Sequence, residues 1–255
     1  MIKNILLAGC SLTAPAPDSG FTIEKQASCH WPFLLCQHYG CEYTNIAQGG
    51  ISNFEIFLRT VQQCDQQRYD LVIVNWTSLA RRMIHFADHN VDDATGLLPS
   101  QVFGFNAEHP AVTDLHRLHF GYFQNDYVDL KQWLLCAHAL AGYLHHRHQP
   151  FVFIKGFDNF VNEFTSSVQT VHEKIKPMLD FDQRPDDYIK SKIELIQHLV
   201  NQQNSSDWLN LHSDSFMSMQ IDRADDGQHP GADSNKKLLD KLLAHIYSVN
   251  LLAKV

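Results

Sequence analysis

Short continuous apolar runs alternate along the chain with stretches whose apolar positions recur every three to four residues. Ile2–Ala8 is the first apolar run and reads as a buried strand. Glu42–Ala47 reads as a second strand, closed by Gly49-Gly50. Asp70–Trp76 is the clearest: an unbroken, β-branched run of the kind found in sheets covered on both faces. Phe151–Lys155 reads as a fourth strand and Trp208–Leu211 as a short fifth. Pro32 suits the first turn of a helix that ends near Tyr39. Ser52-Asn53-Phe54-Glu55 has the spacing of a capping box and opens a helix to about Cys64. Asn125–His148 reads as a long helix with apolar positions at Leu130, Trp133, Leu134, Ala137, Leu140, Ala141 and Leu144. Further helices are expected near Phe160–Ile175, Asp187–Asn201 and Ser234–Ser248. Thr13–His30 and His85–Asp114, each broken by prolines, read as loops.

Strands alternating with helices imply an α/β protein: a parallel sheet of about five strands with right-handed crossovers. No internal repeat or linker divides the chain. One domain over residues 1–255 is expected, with an insertion at about 85–125 that could roof a cleft. In open parallel sheets, sites form beyond the carboxyl ends of the strands.

Charge narrows the classes of function. Lys+Arg number 20 and Asp+Glu 28 among 255 residues, a formal net charge of −8. A general nucleic-acid binder would need a basic face, so none is expected. No run of 18 apolar residues occurs, so no membrane-spanning helix is expected. Leu7-Ala8-Gly9-Cys10 has the form of a lipoprotein cleavage site. Only Ile5–Ala8 precede the cysteine, however, too short a stretch for an export signal. A cytoplasmic protein with reduced thiols is expected.

No pair of the six cysteines has C-x-x-C spacing. Cys36 and Cys41 flank His38, which could suggest a metal site, but Cys36 sits in the apolar helical run Trp31–Cys36, where buried free thiols are common. His85 with His89 and His116 with His119 have spacings that suit metal ligands on one helix face, but neither pair has the His-Glu-x-x-His form. No metal and no cofactor is expected.

The candidate chemistry gathers at strand ends. Ser11 follows the first strand within Gly9-Cys10-Ser11-Leu12-Thr13. Asn45 through Asn53 follow the second, and Asn75-Trp76-Thr77-Ser78 close the third. Asp226-Gly227-Gln228-His229-Pro230-Gly231 precedes the last helix. A serine hydroxyl needs a base to remove its proton, commonly an imidazole held in one tautomer by a carboxylate. In a loop or single turn, the three-residue spacing lets Asp226 reach the far ring nitrogen of His229. The N–H groups of Ser11 and Gly50 could receive a developing oxyanion. Each element has a plainer reading: Gly-x-Ser as a turn, Asp-x-x-His-Pro as a helix cap, Gly49-Gly50 as a turn.

Taken in order, these blocks resemble those of the SGNH hydrolases, also called the GDSL family. Gly9-Cys10-Ser11-Leu12 resembles the first block, with Cys10 in place of the usual Asp. Asn45 through Gly50 resembles the second, whose final glycine supplies an oxyanion N–H. Asp226 through Pro230 resembles the last. The resemblance runs from residue 2 to about residue 245. It implies a flavodoxin-like, three-layer α/β/α fold and an esterase working through Ser11, His229 and Asp226. The third block departs from the family pattern, because the oxyanion asparagine would fall near Leu79. Asn75, Thr77 and Ser78 are the substitute candidates, with Asn53 an outside one that otherwise starts a helix.

Arg81 and Arg82 could hold an anionic part of a substrate, such as a uronate or phosphate, or mark a solvated helix start. Trp76 could line the pocket or belong to the core. The expected substrate is a small or glycan ester, with an O-acetylated sugar suggested by family analogy. The alternative is a non-catalytic binding protein of the same fold, for carbohydrate or protein. A third possibility makes Cys10 the nucleophile.

Overall fold

The computed structural model describes residues 2–79, 81–85, 97–100, 126–157, 186–202, 205–209, 211 and 215–251. Its centre is a four-stranded parallel sheet of β1 (Asn4–Gly9), β2 (Glu42–Asn45), β3 (Leu71–Trp76) and β6 (Phe151–Lys155), in the order β2-β1-β3-β6. Register is explicit: Leu7 pairs with Asn45 on one side and with Ile73 on the other, and Ile73 pairs in turn with Val152. From Ile5 to Ala8 and from Leu71 to Trp76 every side chain is buried, as a sheet covered on both faces requires.

The chain leaves β1 toward β2, then crosses back over β1 to reach β3 and moves on to β6. Helices α1 (Ile23–Cys29) and α2 (Trp31–Tyr39) make the first crossover, and α3 (Asn53–Gln66) makes the second in the opposite direction. With right-handed connections, opposite travel places them on opposite faces. The packing agrees. α1 and α2 lie against each other and against α6 (Ala232–Ser248), while α3 packs on α4 (Asp126–His146) and α4 on α5 (Asp186–Asn201). This is the three-layer α/β/α arrangement expected of the sequence. Connections diverge from β1 and β3, so the crevice of such a sheet opens between the loops that follow these two strands.

Several expectations are corrected. Thr13–His30 is not all loop, because Thr22 caps α1 by accepting the Lys25 N–H. The region after β3 contains an antiparallel pair, β4 (Arg82–His85) with β5 (Leu97–Ser100), so no helix starts at Arg81–Arg82. Among the described residues, the expected fifth parallel strand is one bridge, Trp208 beside Phe153. The helix expected near Phe160–Ile175, most of the 85–125 insertion, and the side chains of His85, His89, His116 and His119 lie outside the described residues. Among the described residues, no helix is long and apolar enough to cross a membrane.

Candidate functional site

The four blocks converge at the carboxyl edge of β1 and β3. After Gly9 the chain winds into a tight turn in which the Thr13 and Ala14 N–H groups both donate to the Cys10 carbonyl at 2.9 Å. Gly9 is needed at the entry. Its φ is +154°, and a Cβ there would stand 2.8 Å from the Asn75 carbonyl oxygen. Cys10 points into the core with no exposed surface, whereas Ser11 retains 6%. Adjacent residues thus part company, and the structure removes Cys10 from reach of a substrate.

The second block lies alongside this turn. Ile46 donates to the Leu7 carbonyl and Gln48 to the Gly9 carbonyl, carrying the sheet pairing past the end of β2. The Asn45 carboxamide donates to the Thr13 carbonyl at 2.8 Å. Gly50 takes the left-handed φ of +74° in this stretch. Among the described residues, neither the Ser11 nor the Gly50 N–H donates to a protein acceptor.

At the last block, Nδ1 of His229 lies 2.5 Å from Oδ2 of Asp226. Oδ1 accepts the backbone N–H groups of Gln228 and His229 at 2.9 and 3.0 Å. Partial burial works against the Asp226 charge, but these N–H groups and the imidazole outweigh it and hold its pKa below the ordinary carboxylate value. The plainer reading of Asp226 as a helix cap does not hold. Asp222 caps α6 instead, accepting the Asp233 and Ser234 N–H groups at 2.9 and 2.8 Å. Asp226 is thereby left to the histidine. Nε2 of His229 has no protein partner among the described residues.

More than two hundred residues of sequence separate this loop from Ser11, and α1 and α2 bridge the gap. The Trp31 indole donates to the Leu12 carbonyl at 2.9 Å, and the Trp31 N–H donates to Oδ1 of Asn235 at 3.2 Å. The Asn235 carboxamide donates to the Pro230 and Gly231 carbonyls, next to His229. His30 lies in the same seam. It is 1% exposed, its Nε2 is 3.4 Å from the Leu12 carbonyl, and it is close enough to feel charge on His229. Burial is the main force that pushes its pKa down to about 4, against the pull of the Leu12 carbonyl, so the ring is neutral. Gly20 completes the seam: a Cβ there would sit 2.7 Å from the Asp226 carboxylate.

The third-block candidates fare differently. Asn75 is fully buried between Gly9 and Gly156, and its carboxamide has no protein partner. Thr77 is fully buried too. Its N–H donates to Oδ1 of Asn53 at 2.9 Å, while its hydroxyl is unpartnered. Ser78 is half-buried and is the one candidate of the three with exposed surface. Asn53 itself returns hydrogen bonds to the Thr77 and Ser78 carbonyls, so it fastens α3 to the end of β3. Trp76 is corrected from pocket wall to core: it has no exposed surface and packs edge-to-face on Phe153 at 5.4 Å.

Sequence reasoning missed His30, Asn235 and Asn53 as positioning residues. It also missed a second histidine–carboxylate pair, His145 with Asp207 at 2.9 Å. That pair borders a cavity with Gln149 and Pro150 at the amino end of β6, far from Ser11 along the sheet. Among the described residues, no cluster of His, Cys, Asp and Glu could hold a metal ion.

No protein-family model matches this chain, and no curated protein does. Its fold is similar to several solved structures. One is the psychrotrophic esterase EstA from Pseudoalteromonas sp., at 11% identity, covering 96% of this chain and 97% of that one with a TM-score of 0.47. Another is TesA, at 11% identity, 96% and 98% coverage and a TM-score of 0.47. A third is Axe2, an acetylxylan esterase from Geobacillus stearothermophilus, at 12% identity, 96% and 94% coverage and a TM-score of 0.47. Identities and scores this low leave the chemistry to the residues described above.

Proposed function

We propose that this protein is an SGNH-type serine ester hydrolase. The observation that carries the reading is the Asp226–His229 pair. Its carboxylate is fixed by two backbone N–H groups, it is not used as a helix cap, and it is tied through His30, Trp31 and Asn235 to the turn that bears Ser11. With Nδ1 held by Asp226, the proton-accepting lone pair of the neutral ring is on Nε2. That nitrogen takes the Ser11 proton as Oγ attacks the ester carbonyl. The tetrahedral oxyanion is met by the N–H groups of Ser11 and Gly50, with a third donor from Ser78, the third-block candidate with exposed surface. His229 then returns the proton to the leaving alcohol, and water, deprotonated by the same ring, releases the acid from the acyl-serine. Arg81 is the substrate-binding residue of this reading. A small acyl ester, including one carried on a carbohydrate, is the substrate class that the block resemblance supports.

One observation favours a second reading, a non-catalytic binding protein for carbohydrate or protein: Ser11 and His229 share no hydrogen bond in this structure. Catalytic hydrogen bonds often tighten only with substrate in place. Hydrolysis of p-nitrophenyl acetate separates the two readings. The hydrolase predicts turnover that is lost in both Ser11→Ala and His229→Ala. Turnover equal in all three proteins, or none in any, supports the binding protein.

A further inference from the structure

Arg81 stands out among the charged side chains at this end of the sheet. Its guanidinium lies over the Phe157 ring, 5.0 Å from the centroid, yet it pairs with no carboxylate among the described residues, and Nη1 is buried without a hydrogen-bond partner. Leaving a buried donor unsatisfied is costly, and more so when it is charged. Such a group is expected to meet an acceptor when the protein works.

Arg81 opens onto a cavity. The other walls are the first turn of α3, at Ser52 and Asn53, and one side of α4, at Asp129, Gln132 and Trp133. Several polar features of the walls favour an anion. At the first turn of α3, a 14-residue helix, the Ser52 hydroxyl already accepts the Glu55 N–H, and the helix dipole adds positive potential there. Trp133 is 1% exposed, and its indole N–H has no partner. Gln132 offers an amide. The exception is Asp129, buried and itself partnered. A carboxylate in the wall disfavours a dianion such as phosphate more than a monoanion. Phe157 lies beside the guanidinium, and the planar fork of an arginine matches the two oxygens of a carboxylate.

We infer that this cavity is a carboxylate subsite and that the ester substrate carries a free carboxylate, which pairs with Arg81. This deepens the proposed hydrolase and rests on it for the word substrate. The anion site itself can be tested apart from turnover.

Isothermal titration of the Ser11→Ala protein, which binds without consuming ester, uses monomethyl glutarate and its neutral counterpart dimethyl glutarate. The inference predicts that the monoester binds at least about tenfold more tightly than the diester. Arg81→Gln erases that difference and Arg81→Lys keeps part of it, since lysine retains the charge but not the fork. Circular dichroism checks the fold of each variant, and Arg81→Lys carries the comparison if Arg81→Gln does not fold. Equal binding of the two esters, binding of neither, or a preference that survives in Arg81→Gln overturns the inference. Turnover of p-nitrophenyl acetate by the wild type reports separately on the hydrolase. Arg81-dependent binding without Ser11-dependent turnover keeps the subsite and removes the hydrolase. The reverse result removes the subsite alone.

Discussion

Asp226 holds His229 by both ends of its carboxylate: Oδ2 lies 2.5 Å from Nδ1, and Oδ1 accepts the His229 backbone N–H at 3.0 Å. The ring is therefore fixed in tautomer and in orientation by one residue three positions away. Asp226→Asn keeps the shape but offers an N–H where an acceptor is needed. It is expected to lower kcat for an activated ester by about 1,000- to 10,000-fold with KM little changed. Steady-state kinetics of the two proteins check this.

The same carboxylate carries a pH signature. Its folded pKa is below the unfolded one, so its contribution to stability is present above the ordinary value of 3.8 and is lost as the pH falls through the lowered value. Urea midpoints of the wild type and Asp226→Asn are expected to differ at neutral pH and to draw together below pH 3.8.

His30 gives the opposite chemistry with the same direction. Its pKa falls from 6.5 to about 4 in the folded protein, so the unfolded chain takes up a proton that the folded one refuses. Its share of stability is present above pH 6.5 and is lost as the pH drops toward 4. The shift corresponds to roughly 3 kcal/mol across that window. Replacing His30 with Gln removes this titration, and the stability of the variant is expected to fall less steeply than that of the wild type between pH 6.5 and 4.

Much of the frame was legible in the chain. The runs at β1, β3 and β6 are continuous because both faces of those strands are buried, and the apolar stripe of α4 is the side it turns inward. The spacing of Asp226 and His229 was legible because the contact is local. What escaped depends on distant partners. Nothing near His30 shows that its ring will rest against Leu12 beside His229. Nothing near Asn53 shows that it will fasten Thr77, since a helix-start asparagine looks the same with or without that bond. Asp222 was hidden as a cap because it stands ten residues before the helix it caps. The short α1 was masked by the prolines before it.

Gly20 tests whether the seam between the first and last blocks matters. Its φ is +78°, and a Cβ would meet the Asp226 carboxylate at 2.7 Å. Gly40 also has a left-handed φ, +59°, but open space around it. Gly20→Ala and Gly40→Ala should each cost about 1 kcal/mol through backbone strain. Gly20→Ala alone should also lower ester turnover, by about tenfold or more, because it displaces Asp226. Thermal melts and kinetics on the pair separate strain from site geometry.

The central claim is that Ser11 is a nucleophile activated by His229. Intact-mass and peptide analysis after exposure to a fluorophosphonate probe measures this most directly. The account predicts one adduct per chain, on Ser11, absent from Ser11→Ala and slowed by about 1,000-fold or more in His229→Ala. No adduct in the wild type, an adduct on another residue, or equal labelling of the wild type and His229→Ala would contradict it.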